Sequence, residues 1–340
     1  MSQGPANRRL HHLPLALFVI TMLAVSLGGA VRIHEAGESC PDWPQCFGTW
    51  GFDISEEDQG IWYNETGEYD SDGSGKRYST GEIFLEWAHR FVTGMILGPL
   101  CILQWYFTFK RRERIPSVHK ASVVALILVI AQGAMGMITV RYDNIHWSVA
   151  AHLALAMALA LSLLWAWVRW MAAEDALPNW MKLERKHAIR LRPRLYDLTL
   201  SILAVLILGA FVSSSEGQNG ACSVGTFDAW PLCNGSIFGS LMDNMQYIHR
   251  IAVVFIGGWL LWNLRGMERG TVRKLLHSCI GIYVLNLLLG GAYILTANPD
   301  FIKTLSLVHL LLGSASILCV GFAAILARNA SVPSNLSEEE

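Results

Sequence analysis

Four histidines that lie within apolar stretches are the residues of this chain best suited to do chemistry. They are His89, His152, His249 and His309. Each follows the outer mouth of a predicted membrane helix by about four to eight residues, hence roughly 6–12 Å deep at the rise of an α-helix. An ionisable side chain inside a bilayer is costly, so each is a candidate functional group. A histidine pair on facing helices of a bundle can supply both axial nitrogens to a haem iron.

Two other readings of the histidines are weaker. A single histidine could simply donate a hydrogen bond to a carbonyl of a neighbouring helix, but four at repeated positions favour a shared function. Zinc or copper usually has closer ligands, often at i,i+4, or a thiolate or carboxylate partner, and the repeated pattern offers none. The sequence therefore predicts two bis-histidine haem sites, with haem iron as the metal.

An acidic residue beside one histidine separates the two predicted sites. Glu86 precedes His89 by three residues and shares its helix face, whereas Gln246 occupies the matching place before His249. This difference predicts that one site does chemistry and the other carries electrons. Glu86 could accept a proton or stabilise developing positive charge. The alternatives are that it orients His89 or is a solvated group at the helix start.

An arginine follows each of these two histidines. Arg90 and Arg250 lie at the outer mouths of their helices, where a guanidinium could bind a haem propionate in bidentate fashion. The alternative is that each side chain snorkels to the membrane interface. In both cases the haem edge is expected to face the outer side.

Four of the seven cysteines fall in outer loops. Cys40 and Cys46 share the first loop, and Cys222 and Cys233 share the third. An oxidising compartment favours a disulfide within each pair. The short first pair could also form an exchangeable bond.

The elements that position these residues follow from composition. The 340 residues are 53% hydrophobic and 16% charged with a net charge of -1, which indicates a lipid bilayer as partner and excludes disorder and a basic nucleic-acid binder. A membrane helix needs about 20 apolar residues. Eight segments qualify: 13–31, 83–109, 120–140, 147–171, 197–213, 246–264, 272–295 and 304–327.

The basic residues predict the orientation of these spans. Of the 26 Lys and Arg residues, 19 fall on the side of the N-terminus and seven on the other. By the positive-inside rule both termini are cytoplasmic. The histidines then lie towards the outer face.

The two halves of the chain repeat each other. Landmarks recur in the same order, which predicts two tandem, parallel four-helix bundles in an all-α integral membrane protein, divided as 1–195 and 196–340. The matched landmarks are Leu27–Val31 with Leu208–Val212, Asp42–Cys46 with Asp228–Cys233, Trp87–Arg90 with Tyr247–Arg250, and Gly133, Thr139 and His152 with Gly290, Thr296 and His309.

These features together resemble the haem A synthases. Glu86–Arg90 is similar to the E-x-x-H-R element of that family, and Cys40–Cys46 is similar to its first-loop cysteine motif. The resemblance implies oxidation of the C8 methyl group of haem O to the formyl group of haem A. It also implies that Glu86, His89 and His152 form the substrate side, while His249 and His309 hold an electron-passing haem b. It further suggests contact with the haem O-forming enzyme and an electron donor, neither of which the sequence identifies.

Two outer loops differ from what the resemblance and the internal repeat predict, and the N-terminal segment indicates the location of the protein. The first outer loop is long and acidic between Phe47 and Gly81, and the third has a different Asp–Trp spacing. No transit-like segment poor in acids and rich in Arg and Ser precedes the first span, which favours a bacterial plasma membrane.

Two other functional classes fit parts of the pattern. A di-haem b-type electron carrier could use the same four histidines, but it needs neither Glu86 nor paired cysteines. A haem-delivery protein or a permease with internal repeats is the other alternative. Against a permease, Gly/Pro-broken midplane helices are not evident.

Overall fold

The computed structural model describes residues 10–67, 73–215, 221–222, 224–225, 240–265, 267–297 and 302–332. Within these ranges, eight helical spans are long and apolar enough to cross a membrane, which confirms the predicted all-α membrane fold. The helices are α1 (Leu13–Ile33), α2 (Glu56–Thr66), α3 (Thr80–Arg90), α4 (Gly98–Phe109), α5 (Pro116–Arg141), α6 (His146–Ala173), α7 (Arg185–Ser213), α8 (Leu241–Leu264), α9 (Thr271–Leu295) and α10 (Lys303–Ser331).

The second span is continuous but changes its helical type. A π-helical segment, Phe91–Leu97, joins α3 to α4 immediately after His89 and Arg90. Pro99 lies in the first turn of α4, where it has no N–H to donate to the preceding turn. A wider π turn in this place accommodates the proline. In α8, the matching span of the second half, the helix is α throughout.

The fifth span is much longer than its hydropathy predicts. The predicted segment begins at 197, but α7 begins at Arg185. Its added turns are amphipathic, since Ala188, Leu191 and Leu195 are buried between exposed or half-buried basic residues. Hydropathy averaging misses such a segment. The predicted division after residue 195 falls inside this helix, and the segment 174–184 connects the two sets of four spans instead.

The two sets of helices share a hydrophobic core. Its largest buried cluster includes Met157 of α6, Leu195 of α7, Leu276 of α9 and Ile317 of α10. The helices α1 and α10 also approach closely at Gly29, where an added Cβ would lie 2.7 Å from Cδ2 of Leu310. The glycine therefore permits this crossing between the halves.

The long outer loop is a folded cap rather than an extended connection. Its helix α2 begins with a capping box formed by Ser55 and Asp58. The buried Gln59 side chain donates to the carbonyl of Tyr78 and accepts from its N–H, at 2.9 Å each. The cap has its own apolar cluster, made of Cys40, Cys46, Phe47, Ile54, Tyr63, Tyr78 and Ile83. Residues 68–72 of this loop lie outside the described ranges.

Candidate functional site

The structure brings the four histidines together as two pairs. His89 of α3 lies within electrostatic range of His152 of α6, and His249 of α8 lies within range of His309 of α10. All four residues are half-buried. Each half of the chain therefore contains one pair, and both members of each pair come from helices that run in the same direction.

The helices α3 and α8, which carry the first histidine of each pair, begin with the same device. In α3 the Ser79 hydroxyl accepts from the N–H of Glu82, whose carboxylate accepts in return from the Ser79 N–H. Ser240 and Asp243 do the same in α8. A capping box fixes the first turn of a helix. His89 and His249 are thereby placed at nearly the same distance from the outer end of each helix.

A glycine of a neighbouring helix lies against three of the four imidazole rings. A Cβ added to any of these glycines would come within 2.9 Å of the Cε1 atom of the ring, closer than real Cβ atoms approach. The pairs are Gly28 with His89, Gly209 with His249 and Gly290 with His309. The sequence shows these glycines only as repeat landmarks, because their role depends on which helices become neighbours.

The Nδ1 atoms fix one ring in each pair. The N–H of His89 Nδ1 donates to the carbonyl of Ala24 (3.0 Å), and that of His309 donates to the carbonyl of Asn286 (3.2 Å). This tautomer leaves the Nε2 lone pair for a metal. The buried Nδ1 atoms of His152 and His249 have no hydrogen-bond partner among the described residues. Each half therefore offers a pair of imidazole rings, and three of the four rings lie against a glycine. This arrangement fits the axial ligation of a haem iron.

The carboxylate of Glu86 is fixed between α3 and the first outer loop. The residue is only 3% exposed. One oxygen accepts from the Cys40 N–H at 3.0 Å and from the Ser39 hydroxyl at 3.1 Å. The other oxygen forms a 2.5 Å ion pair with Arg90. Glu86 is thus a buried charged group, one turn from His89, that also anchors the loop.

Arg90 closes the same loop from its other side. Its terminal nitrogens donate to the carbonyls of Cys40 and Gln45, each at 2.9 Å, and to that of Asp42. Together with Glu86, these carbonyls provide an acceptor for each of the four terminal N–H groups of Arg90. Only the Nε–H of Arg90 is left to donate to a further acceptor. The contact with a haem propionate stays a prediction.

The second half holds its loop with a different acid. Asp243 accepts from the N–H of Cys222 at 2.7 Å, and Arg250 donates to the Cys222 carbonyl at 2.7 Å. Asp243 lies one turn before Gln246, which is 4% exposed and occupies the place of Glu86. In both halves an acid and an arginine therefore bind the backbone of a loop cysteine. The carboxylate one turn before the histidine is present in the first half and replaced by an amide in the second.

The structure joins Cys40 to Cys46 in a disulfide with a Cα–Cα distance of 4.6 Å. Both residues are fully buried in the cap. Cys233 lies outside the described residues, so the Cys222–Cys233 bond stays a prediction. Three cysteines of the described ranges are free thiols: Cys101, Cys279 and Cys319.

Thiol labelling tests both disulfides. When the protein is denatured without a reductant, an alkylating reagent is expected to modify the three free cysteines and to spare Cys40, Cys46, Cys222 and Cys233. Peptide mass spectrometry after digestion reads the result, and the free cysteines serve as the internal control. Reduction should expose all seven. Labelling of Cys222 or Cys233 before reduction would contradict the predicted Cys222–Cys233 disulfide.

The glycine contacts give a matched pair of variants. Gly290→Ala places a Cβ 2.8 Å from Cε1 of His309, so the ring must move. Overpacking of this kind costs roughly 1–3 kcal/mol, and we expect about tenfold weaker haem retention. Gly133→Ala is the control, since it lies 157 residues earlier at the matching repeat position and has nothing within 4 Å. Equal haem content per chain in both variants would contradict the packing role.

Comparison with known proteins identifies the family of the chain. The chain matches the COX15-CtaA family, described as cytochrome oxidase assembly protein, over residues 12–321. It is 28% identical over 326 residues to the Heme A synthase of Novosphingobium aromaticivorans, covering 84% of this chain and 89% of the relative. It is 26% identical over 324 residues to the Heme A synthase of Halalkalibacterium halodurans, covering 92% and 96%.

Proposed function

The chain belongs to the COX15-CtaA family of cytochrome oxidase assembly proteins, and we propose that it is a haem A synthase. In this role it is a membrane oxidoreductase that takes haem O as substrate and releases haem A. The proposed reaction oxidises the C8 methyl group of haem O to a formyl group by successive hydroxylations.

The observation that carries the assignment of the reacting site is the difference between Glu86 and Gln246. Oxidation of a methyl group removes hydrogens from carbon, so a carboxylate held close to the substrate can accept or position a proton. Glu86 lies one turn from His89 and is shielded from water. The amide of Gln246 cannot take that role. We therefore assign substrate binding to the pair His89 and His152.

The second pair would hold the cofactor. In the proposed function His249 and His309 bind haem b, which when bound supplies electrons. The residue that matches Glu86 in this half, Gln246, is buried but is an amide, so no carboxylate lies one turn before His249. The first four spans thus form the substrate half and the last four the cofactor half, with the connection 174–184 between them.

The same reading extends to location and partners. The eight apolar spans and the bacterial relatives indicate a multi-pass bacterial membrane protein. We propose that it lies in the plasma membrane with both termini cytoplasmic and the histidine pairs towards the outer face. The lipid bilayer and haem O are its partners, and contact with the haem O-forming enzyme and with an electron donor is also proposed.

Haem extraction tests the function. The protein is purified from cells that supply haem O, and its haems are extracted and identified by chromatography and mass. Haem b together with haem O, haem A or a C8-hydroxylated intermediate is expected. Two haem b per chain despite available haem O would instead indicate a di-haem electron carrier. Cells that lack haem O provide the control, in which only the second half should be loaded.

A further inference from the structure

The two halves can be aligned residue by residue around the second histidine of each pair. The helix α6 begins at His146 and α10 at Lys303, an offset of 157 that also relates His152 to His309. Thr139 and Thr296, at the same offset, both donate from their hydroxyls to the carbonyl four residues earlier. Within this register Gly136 matches Tyr293.

In the second half a tyrosine fills the space beside the histidine. The ring of Tyr293 stacks on that of His309, with centroids 6.2 Å apart and planes inclined by 16°. The side chain also contacts Ser306, one turn before His309 on α10, and lies in electrostatic range of Arg32 on α1. Tyr293 is therefore held by a polar contact with α10, next to the ring that would ligate haem b.

In the first half the residue that matches Tyr293, Gly136, has no side chain, and the ring of His152 itself lies against it. A Cβ on Gly136 would lie 3.5 Å from Cε1 of His152, an ordinary contact distance, whereas Gly133 has nothing within 4 Å. His309 instead packs against Gly290, which matches Gly133. The ring of His152 thus lies one helical turn further along its neighbour than the ring of His309. Val149 replaces the hydroxyl of Ser306, so the contacts of the phenol are also missing.

We propose that residues 136 and 293 decide which haem each half accepts, an inference that rests on the proposed function. Haem O differs from haem b by a long hydroxyethylfarnesyl chain in place of one vinyl group. Gly136 has no side chain and Val149 is apolar, so neither residue blocks or repels such a chain beside His152. Tyr293 fills the corresponding space beside His309 and admits only the smaller haem. The first half is thus specific for a prenylated haem, and the second excludes it.

The direct test is Gly136→Tyr in cells that supply haem O. We expect the haem O and haem A extracted per chain to fall about tenfold, because the phenol occupies the space of the chain. Haem b per chain should stay at the wild-type level, which also shows that the protein folds. Gly136→Ala is the matched control and should retain haem O, since its Cβ meets His152 at a normal distance. Wild-type haem O content in Gly136→Tyr overturns the proposal.

The reciprocal substitution, at Tyr293, tests the same proposal and does not depend on whether the Gly136→Tyr protein folds. Tyr293→Gly is expected to raise the ratio of haem O to haem b, because the second half then admits the prenylated molecule. Tyr293→Phe keeps the ring and should keep the wild-type ratio. An unchanged ratio in Tyr293→Gly overturns the proposal. Failure of the proposed function is distinguishable, since the wild-type protein would then contain neither haem O nor haem A.

Discussion

Replacement of His249 or His309 by alanine is expected to remove the haem b proposed for the second half, leaving about a tenth or less of the wild-type content. Loss of a single hydrogen bond to a metal ligand typically costs about 10–100-fold in metal affinity, and loss of the ligand itself should cost at least as much. Each alanine also leaves an opening against Gly209 or Gly290, which have no side chain to replace the ring. Haem per chain, measured spectroscopically on purified protein, gives the result.

Two controls test whether the loss of haem is specific to these two histidines. His277→Ala alters an exposed histidine near the start of α9 whose Nδ1 bonds to the carbonyl of Arg273, and it should retain both haems. Added imidazole should partly restore the spectrum of the His249→Ala protein by entering the opening left by the ring. Full haem b retention in both His249→Ala and His309→Ala would contradict the assignment of this pair as haem b ligands.

Replacement of Glu86 by glutamine is expected to abolish haem A formation while both haems remain bound. A positioned general acid or base typically contributes about 10²–10⁴-fold to rate. The amide keeps the size of the side chain, and its one oxygen can still accept from the Cys40 N–H and the Ser39 hydroxyl. The ion pair with Arg90 is lost, but Arg90 still donates to the carbonyls of Cys40 and Gln45, so the loop stays in place. Haem A extracted per chain from cells that supply haem O measures the loss.

Further variants separate the proton-handling role of Glu86 from its structural role. Glu86→Ala removes the acceptor as well as the charge and leaves Arg90 without its ion pair, so it should also lower the thermal stability. Ser39→Ala deletes one hydrogen bond to the carboxylate but keeps the charge, and it should retain most of the turnover. Turnover at the wild-type rate in Glu86→Gln would reduce Glu86 to a loop anchor.

The membrane spans and the histidine pairs could be predicted because their signals are local or repeated. Long apolar runs report a bilayer regardless of packing, and the offsets of 160 and 157 place His249 and His309 after their counterparts. The start of α7 could not be found in this way. Its first turns are basic on one side and apolar on the other, so their average hydropathy resembles that of a loop.

Contacts of side chains with the backbone of distant segments could not be predicted. The sequence places Glu86 next to His89, but it gives no sign that the carboxylate binds the backbone of Cys40, 46 residues earlier. Arg90 is a second example, since nothing in the sequence indicates that its guanidinium donates to the carbonyls of Cys40 and Gln45. Backbone acceptors have no residue type, so no pattern of side chains could reveal them. The folded cap is hidden for a similar reason, since its apolar residues follow no helical or strand period.

The close crossing of α1 and α10 has a consequence for the speed of the proposed reaction. Gly28 packs against His89, while the next residue, Gly29, receives the side chain of Leu310, which follows His309 in the chain. One path from His89 to His309 therefore runs through Gly28, Gly29 and Leu310. Electron tunnelling slows steeply with distance and with every gap between atoms. The absence of two side chains in α1 thus shortens the path by which the second half would reduce the first.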